Sequence, residues 1–280
     1  MPFAAHSGGI PVTPVLAGVI AVLLVATAGV VALGGLTRWW SILGAGVRGA
    51  LQLLIVSSVI AAIVNSVALV VAFLALMFVI ATRTAGRRIT PDRTWWWAGV
   101  PIAVGVGPVV AILVGSGAVP LRGLVLVPLV GQLIGGALTA TALAGRRLLE
   151  ELHQRRGEVE AALSLGLSDS RSRLEIAQPV AGNALVPALD QTRTVGTVTL
   201  PGAFVGMLLG GASPVDAGIV QLFVLIGLLA VEAVAIVVTL HVVAGGRLTG
   251  PDPAHRRSTG VAPHARVLAA MRAVRRGRPS

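Results

Sequence analysis

The stretch Ala50–Ala81, ALQLLIVSSVIAAIVNSVALVVAFLALMFVIA, runs for 32 residues without a charged side chain. As one α-helix it would be about 48 Å long, whereas about 20 residues are enough to cross the hydrocarbon core of a bilayer. The polar pair Asn65-Ser66 lies at its middle. We therefore predict that this stretch crosses a membrane twice, as the short spans Ala50–Val64 and Val67–Ala81.

Apolar runs of similar character fill most of the chain, which is 55% hydrophobic and 12% charged over 280 residues. Its mean hydropathy of +0.89 excludes a water-soluble globule, and the short alternating segments of a membrane β-barrel are absent. The sequence predicts an all-α, polytopic helical membrane protein with about seven transmembrane helices. The predicted spans are Val12–Leu36, Ala50–Val64, Val67–Ala81, Ala98–Val114, Gly123–Ala144, Thr194–Gly211 and Pro214–Ala244.

The predicted domain organisation is simple. A transmembrane domain covers residues 1–246 and contains a polar loop at residues 145–180, and residues 247–280 form a basic tail that we expect to be disordered. Apolar residues at helical spacing in His264–Arg278 leave open a second possibility, in which the tail lies on anionic membrane lipid.

All 22 basic residues are arginine, and 11 acidic residues oppose them. With seven spans, every arginine except Arg122 lies on one side of the membrane. The positive-inside rule makes that side the cytoplasm, which places the polar loop and the C-terminus inside and the N-terminus outside. Membrane orientation thus explains the charge without a nucleic-acid partner.

The absence of lysine excludes a Walker A loop, whose lysine reaches the phosphates of ATP. We therefore expect that this chain has no ATPase site of its own, is not an enzyme and binds no cofactor itself. Any ATP must be bound by a partner subunit.

The polar loop contains Glu158–Pro179, EVEAALSLGLSDSRSRLEIAQP. Its spacing resembles the EAA loop of ABC transporter permeases, which docks into an ATP-binding subunit and follows the pattern E-A-A, three residues, G, nine residues, I-x-L-P. The Leu position of that pattern holds Gln178 here. The resemblance assigns ATPase coupling to the anchors that are present, Glu160, Ala161, Ala162, Gly166, Ile176 and Pro179.

The local sequence is compatible with a docking hairpin. Glu150–Leu165 lacks proline and predicts a helix that continues out of the fifth span. Gly166 can end this helix in a left-handed cap, and Ser168 can cap a second helix that runs through Arg173. The apolar residues of the loop would otherwise face water, so they need a partner surface. An ordinary helical hairpin packed on the membrane face is the other interpretation.

Further blocks occur in a fixed order along the chain: Arg48-x-x-x-Gln52-Leu, Leu163-Ser-Leu-Gly166, Asp190-x-x-Arg193-Thr-Val-Gly-x-Val-x-Leu-Pro201-Gly202, and Ala212-Ser-Pro214 with Gln221. Together they are similar to the FetB-type iron-export ABC permease family. The resemblance covers about Arg48 to Ala244, and its most specific part is the T-V-G-x-V-x-L-P-G run. One departure is Gly136, where a polar Asn is expected in the fifth span.

The resemblance implies a multi-pass permease of the bacterial plasma (inner) membrane. It further implies a permease homodimer that pairs with a cytoplasmic ATP-binding cassette subunit and exports iron or a related metal cation. Plant relatives are linked to aluminium tolerance, so the cargo is not uniform across the family.

Ionisable groups inside membrane spans are costly and are functional candidates for that reason. Glu232 could be a cation ligand or a proton-linked group, and equally a carboxyl that hydrogen-bonds across the bundle. His241 loosely shares its helix face, which is a weak indication of metal binding. No cluster of His, Asp and Glu in the sequence matches a closed zinc site, so the metal ligands stay unknown.

Polar residues elsewhere are further candidates. The amides of the spans could line a pathway or join helices by hydrogen bonds. Asp190 and Arg193 are spaced as a local ion pair and precede a natural helix break at Pro201 and Gly202, so they suggest a gate or a plain interfacial anchor. The translocation-path candidates are Gln52, Gln132, Asp190, Arg193, Gln221 and Glu232.

Three functions stay open at this point. The first is an ABC permease subunit that exports a metal cation and is driven by a separate ATPase. The alternative is a secondary transporter or channel that uses Glu232 as a cation- or proton-linked site. A third is a membrane scaffold whose loop recruits a soluble partner without transport.

Overall fold

A computed structural model describes residues 13–63, 66–120 and 122–250. The α-helices are α1 (Pro14–Leu33), α2 (Trp39–Ile63), α3 (Val67–Ile89), α4 (Gly99–Gly115), α5 (Gly123–Gln154), α6 (Arg156–Ser164), α7 (Asp169–Ala181), α8 (Val186–Thr194), α9 (Gly202–Leu209) and α10 (Pro214–Ala244). Short 3-10 helices cover Arg93–Ala98 and Gly182–Ala184. The predicted all-α fold is confirmed.

Six helices in the described residues are long and apolar enough to cross a membrane. They are α1, α2, α3, the continuous segment Arg93–Gly115, α5 and α10. Many of their Leu, Ile and Val side chains are exposed at the surface of the chain. Such exposure is expected where the surrounding solvent is lipid rather than water.

The predicted break in the opening stretch is confirmed. Helix α2 ends at Ile63 and α3 begins at Val67. The Ser66 hydroxyl accepts a hydrogen bond from the Leu69 amide over 3.5 Å, as an N-cap residue does. Helix α2 begins at Trp39, well before the predicted start at Ala50, so Arg48 lies within a helix and not in a flanking loop.

The predicted sixth span, Thr194–Gly211, is not one helix. Helix α8 ends at Thr194, a tight turn follows, and the eight-residue α9 begins only at Gly202. Gly196 has a φ of +79°, and its amide donates to the Thr199 carbonyl over 2.9 Å. Because Pro201 also disfavours a helical residue before it, the chain cannot pass through this turn as a helix.

The chain divides into two compact units. In the first unit, which contains α1, α2 and α9, α1 packs on α2 where Leu24 lies against Gly46. In the second unit, which contains α6, α7 and most of α4 and α5, α4 meets α10 at Gly105, which lies beside the Val231 carbonyl. Small residues at such contacts let helix backbones approach closely.

The core of the second unit is mostly apolar, although Thr141, Ser172 and Thr239 are also fully buried there. Ile102, Leu148 and Val231 are completely buried. Residues 251–280 lie outside the described residues, so the predicted tail and the lipid contact of His264–Arg278 stay predictions. The start of the predicted first span, Val12, also lies outside them.

Candidate functional site

The polar loop folds into a helical hairpin, α6 followed by α7. Helix α6 ends at Ser164, and Gly166 has a φ of +91°. The Gly166 amide donates to the Leu163 carbonyl over 2.9 Å, and the Leu167 amide donates to the Ala162 carbonyl over 3.2 Å. These bonds form a Schellman motif, so the left-handed cap predicted at Gly166 is present.

The tip of this hairpin is apolar and uncovered. Leu165 is 82% exposed, and Leu163 is exposed on the preceding turn. Three of the coupling anchors on α6, Glu160, Ala161 and Ala162, lie on the same short helix. An exposed apolar tip within a polar segment is typical of a surface that binds another protein.

Ion pairs hold the base of the hairpin. The Arg155 guanidinium pairs with Glu158 and with Glu151, the latter over 3.4 Å. The hydrogen bond from Arg155 holds the pKa of Glu158 below its ordinary value, and the same contact raises the pKa of Arg155. The Glu158 pair is therefore complete at neutral pH and is lost only as the pH falls through the lowered carboxyl pKa. The anchor Glu160 pairs with Arg156 over 2.9 Å, on an exposed face.

Helix α7 corrects two details of the sequence prediction. It does not stop at Arg173 but runs to Ala181, with Pro179 inside it. Ser168 occupies the N-cap position with an extended backbone, but its side chain makes no capping hydrogen bond. The long helix from the fifth span is also interrupted once, at Arg155, between α5 and α6.

Helix α7 is fixed to the end of α10. The Arg173 guanidinium packs on Gly246, with its Nη1 atom 2.8 Å from the point that a Cβ atom there would occupy. The Arg247 guanidinium lies 5.0 Å from the centre of the Trp97 ring, and the Thr249 amide donates to the Thr94 hydroxyl over 3.4 Å. Ile176 and Pro179, the predicted docking anchors, thus belong to a helix that contacts Gly246, two residues after the end of α10.

Glu232 lies in the middle of α10, half-buried against α5. Its Oε1 atom lies 2.8 Å from the point that a Cβ atom on Gly136 would occupy, and a Leu228 methyl lies 2.7 Å from the same point. Among the described residues no hydrogen-bond partner of this carboxylate is found. The missing side chain at Gly136 therefore provides the space in which the carboxylate lies.

The other path candidates do not form one cluster. Gln52 on α2 and Gln132 on α5 are exposed. Asp190 and Arg193 form their local ion pair on α8, with an N–O separation of 3.9 Å. Within the residues that the structure describes, no group of three or more His, Asp and Glu side chains could hold a metal ion.

Gln221 has a different position from the one expected of a path residue. It is 3% exposed, and its side-chain oxygen accepts a hydrogen bond from the Phe204 amide over 3.1 Å. This amide belongs to the first turn of α9, which begins after Pro201. Gln221 therefore satisfies an otherwise unpaired amide at the start of the short helix.

One feature was not foreseen from the sequence. A cavity of about 410 Å³ lies between α7 and the second half of α10, and its polar lining residues are Gln178 and His241. The sequence contains one indication of it: Leu174, Gln178 and Ala181 are spaced so that they share the face of α7 that lines the cavity.

Comparisons with known proteins agree with this description. The profile of UPF0014, described as an uncharacterised protein family, matches residues 15–245. The chain is 31% identical to the UPF0014 membrane protein STAR2 of Oryza sativa subsp. japonica, over 62% of this chain and 61% of that protein. It is 33% identical to Protein ALUMINUM SENSITIVE 3 of Arabidopsis thaliana, over 64% of this chain and 66% of that protein.

A bacterial relative has a more specific name. The chain is 28% identical to the probable iron export permease protein FetB of Escherichia coli (strain K12), over 51% of this chain and 55% of that protein. The matches thus span less than two thirds of these relatives' lengths, and no solved structure gives a significant match. The match of the family profile to most of the chain, together with the six long apolar helices, shows that the chain is a multi-pass membrane protein of the UPF0014 family.

Proposed function

We propose that this chain is the permease subunit of an ABC transporter that exports a metal cation, with iron as the first candidate, across the bacterial plasma membrane. A separate ATP-binding subunit supplies the energy. As in other symmetric transporters, two copies of the chain would form the permease and each would bind one ATPase.

The observation that carries this proposal is the α6–α7 hairpin. It combines the spacing of an ATPase-docking motif with an apolar tip at Leu163 and Leu165 that nothing in the described chain covers. A left-handed Gly166 fixes the turn that presents this tip. A docking element needs these properties, because a partner can bury the tip only if the tip is both exposed and held in one shape.

The arginine distribution supports a cytoplasmic hairpin. If α8, the turn and α9 did not cross the membrane, Arg247 and the tail arginines would lie opposite the arginines of the other basic loops. We propose that this segment is the sixth of seven crossings and passes through the membrane as two short helices joined at the turn. The docking hairpin and the C-terminus then share the side on which an ATPase operates.

The assignment of the cargo rests on a relative and on chemistry. The E. coli relative is named as a probable iron export permease. An exported ion needs contacts that are strong enough to admit it and weak enough to release it.

Replacing Gly166 with valine tests the docking role. A β-branched residue is strained at a φ of +91°, so the Schellman turn should open and the tip should lose its shape. We expect at least a tenfold loss of co-purification with the ATP-binding subunit that the proposal requires. Gly166→Asn, which tolerates a left-handed backbone, should lose much less.

The matched control is Gly157→Val in α6, where an added side chain meets open space in an ordinary helical backbone. It should bind the ATPase as the parent chain does. Equal binding by the Gly166 and Gly157 variants would remove the main support for the proposed function.

A second candidate, a secondary transporter or channel, is favoured by the position of Glu232. The carboxylate lies half-buried in the middle of an apolar helix without a hydrogen-bond partner in the described residues. Such a group is costly to keep and is often retained for transport. This candidate differs from the first in its energy source, because it predicts flux without ATP.

Changing the space around Glu232 separates a pathway role from packing. In Gly136→Ala the new methyl must displace the Glu232 carboxylate and a Leu228 methyl, both of which are ends of flexible side chains. Stability should therefore change by no more than about 1–2 kcal/mol, whereas flux should fall at least fivefold if the carboxylate lies on the path. Gly135→Ala, which meets no atom within 4 Å, is the control. Unchanged flux in Gly136→Ala and in Glu232→Gln would assign Glu232 to packing.

A further inference from the structure

The cavity between α7 and α10 is a groove with two polar groups in an apolar lining. The α7 side contributes Gln178, and the α10 side contributes His241. Both side chains belong to exposed residues, so solutes can reach them. The apolar remainder of the lining includes Leu174, Leu185, Ile236 and Leu240.

His241 is oriented as metal-binding histidines are. Its Nδ1 atom lies 2.8 Å from the Val237 carbonyl oxygen one turn earlier in α10. A carbonyl oxygen only accepts hydrogen bonds, so Nδ1 carries the hydrogen and Nε2 of the neutral ring keeps its lone pair. A backbone carbonyl that fixes the ring and its tautomer in this way is the usual arrangement behind a histidine ligand.

Gln178 adds a neutral oxygen donor. Its side-chain carbonyl is a ligand for divalent cations, and it occupies the position at which the docking pattern has a leucine. On the face of α7 that lines the groove, this exposed side chain is free of packing contacts that would keep it from a polar solute.

We propose that Gln178 and His241 form a weak site for a divalent transition-metal cation, at which the cargo first contacts the permease. This inference rests on the proposed function, which makes a metal cation the cargo. One imidazole nitrogen and one amide oxygen, completed by water, bind such an ion without trapping it. A transport site must release its ion, so weak coordination is an advantage there.

The position of the site links it to docking. Helix α7 carries the docking anchors Ile176 and Pro179 and one wall of the groove, and Arg173 holds its other end at Gly246. A displacement of α7 by a bound ATPase would therefore change the width of the groove and the distance between the two ligands. The site can thus exchange its ion in step with the ATPase cycle.

Cobalt(II) binding to the full chain in lipid nanodiscs tests the site directly. With ¹⁵N-labelled histidine, Co²⁺ should broaden one imidazole signal whose Nδ1 is protonated, and His241→Ala should remove that signal. We expect at least a tenfold loss of Co²⁺ affinity at this site in His241→Ala and a smaller loss in Gln178→Leu. The control is His153→Ala, which removes an exposed imidazole at the end of α5. Unchanged Co²⁺ binding in His241→Ala overturns the proposal. This is the result expected if the groove holds a lipid chain instead of a metal ion.

ATP-driven export distinguishes this inference from the proposed function. Gln178→Leu restores the leucine of the docking pattern, so it should keep ATPase binding while Co²⁺ export falls at least fivefold. Full export in Gln178→Leu and His241→Ala contradicts the site but leaves the ABC permease standing. Co²⁺ bound at His241 in a chain that shows no ATP-driven flux contradicts the proposed function but leaves the site standing.

Discussion

Leu165→Arg is expected to abolish ATP-driven export while the chain itself folds as before. Leu165 is 82% exposed at the tip of the α6–α7 hairpin, so its loss removes no internal packing. In the proposed function, Leu165 acts only when the ATP-binding subunit covers it. The variant therefore separates a docking defect from a folding defect.

The size of the effect follows from two terms. Burying a leucine side chain contributes about 1.5–3 kcal/mol, and this contribution is lost. An unpaired guanidinium buried at the same place in the interface with the ATP-binding subunit costs several kcal/mol more. We expect the affinity for the ATP-binding subunit to fall by about 100-fold or more.

The measurement is ATPase binding and export in proteoliposomes, with thermal unfolding as the control for folding. Leu165→Met, which keeps an apolar side chain of similar volume, should retain both activities. Normal export by the arginine variant, at unchanged protein levels, would show that the tip of the hairpin is not the docking surface.

Gly86→Ala is expected to have the largest effect on stability. Gly86 is buried near the end of α3, and a Cβ atom there would overlap the carbonyl oxygen of Trp95 in the following 3-10 helix. The carbonyl carbon of Trp95 would lie 2.7 Å from that Cβ atom. Because the obstacle is backbone and not the end of a side chain, the two helices must separate.

Overpacking of this kind costs about 1–3 kcal/mol and occasionally more. Thermal unfolding of the purified chain should show a melting temperature lower by several degrees and a lower yield of folded protein. Gly107→Ala on α4, which is exposed and meets no atom within 4 Å, should leave both unchanged. An unaltered melting temperature for Gly86→Ala would mean that α3 and the 3-10 helix do not approach as described.

The helices could be predicted from the sequence wherever hydrophobicity and length decide the outcome. A 32-residue apolar run cannot cross a bilayer once, and the break beside Ser66 follows from that length. The segment Thr194–Gly211 is apolar and has no charged side chain, yet it folds as a turn and a short helix. Backbone chemistry at Gly196 and Pro201 decides this region, and an average over residues does not detect it.

Only the locally determined part of the candidate site could be predicted from the sequence. The left-handed turn at Gly166 is a local property of the chain, and the sequence predicts it. The groove between Gln178 and His241 depends on how α7 packs along α10, which no local pattern encodes. The contact of Glu232 with Gly136 also joins residues far apart in the sequence, so no local pattern predicts it.

The central claim is that a separate ATPase drives metal export through this chain. The most direct test reconstitutes the chain with the ATP-binding subunit that the proposal requires in proteoliposomes and measures Fe²⁺ movement with a metal-sensitive dye in the lumen. For chains whose α6–α7 hairpin faces the external ATP, we predict Fe²⁺ accumulation in the lumen that requires both ATP and the second subunit. The same Fe²⁺ flux from the chain alone, without ATP, would contradict the account.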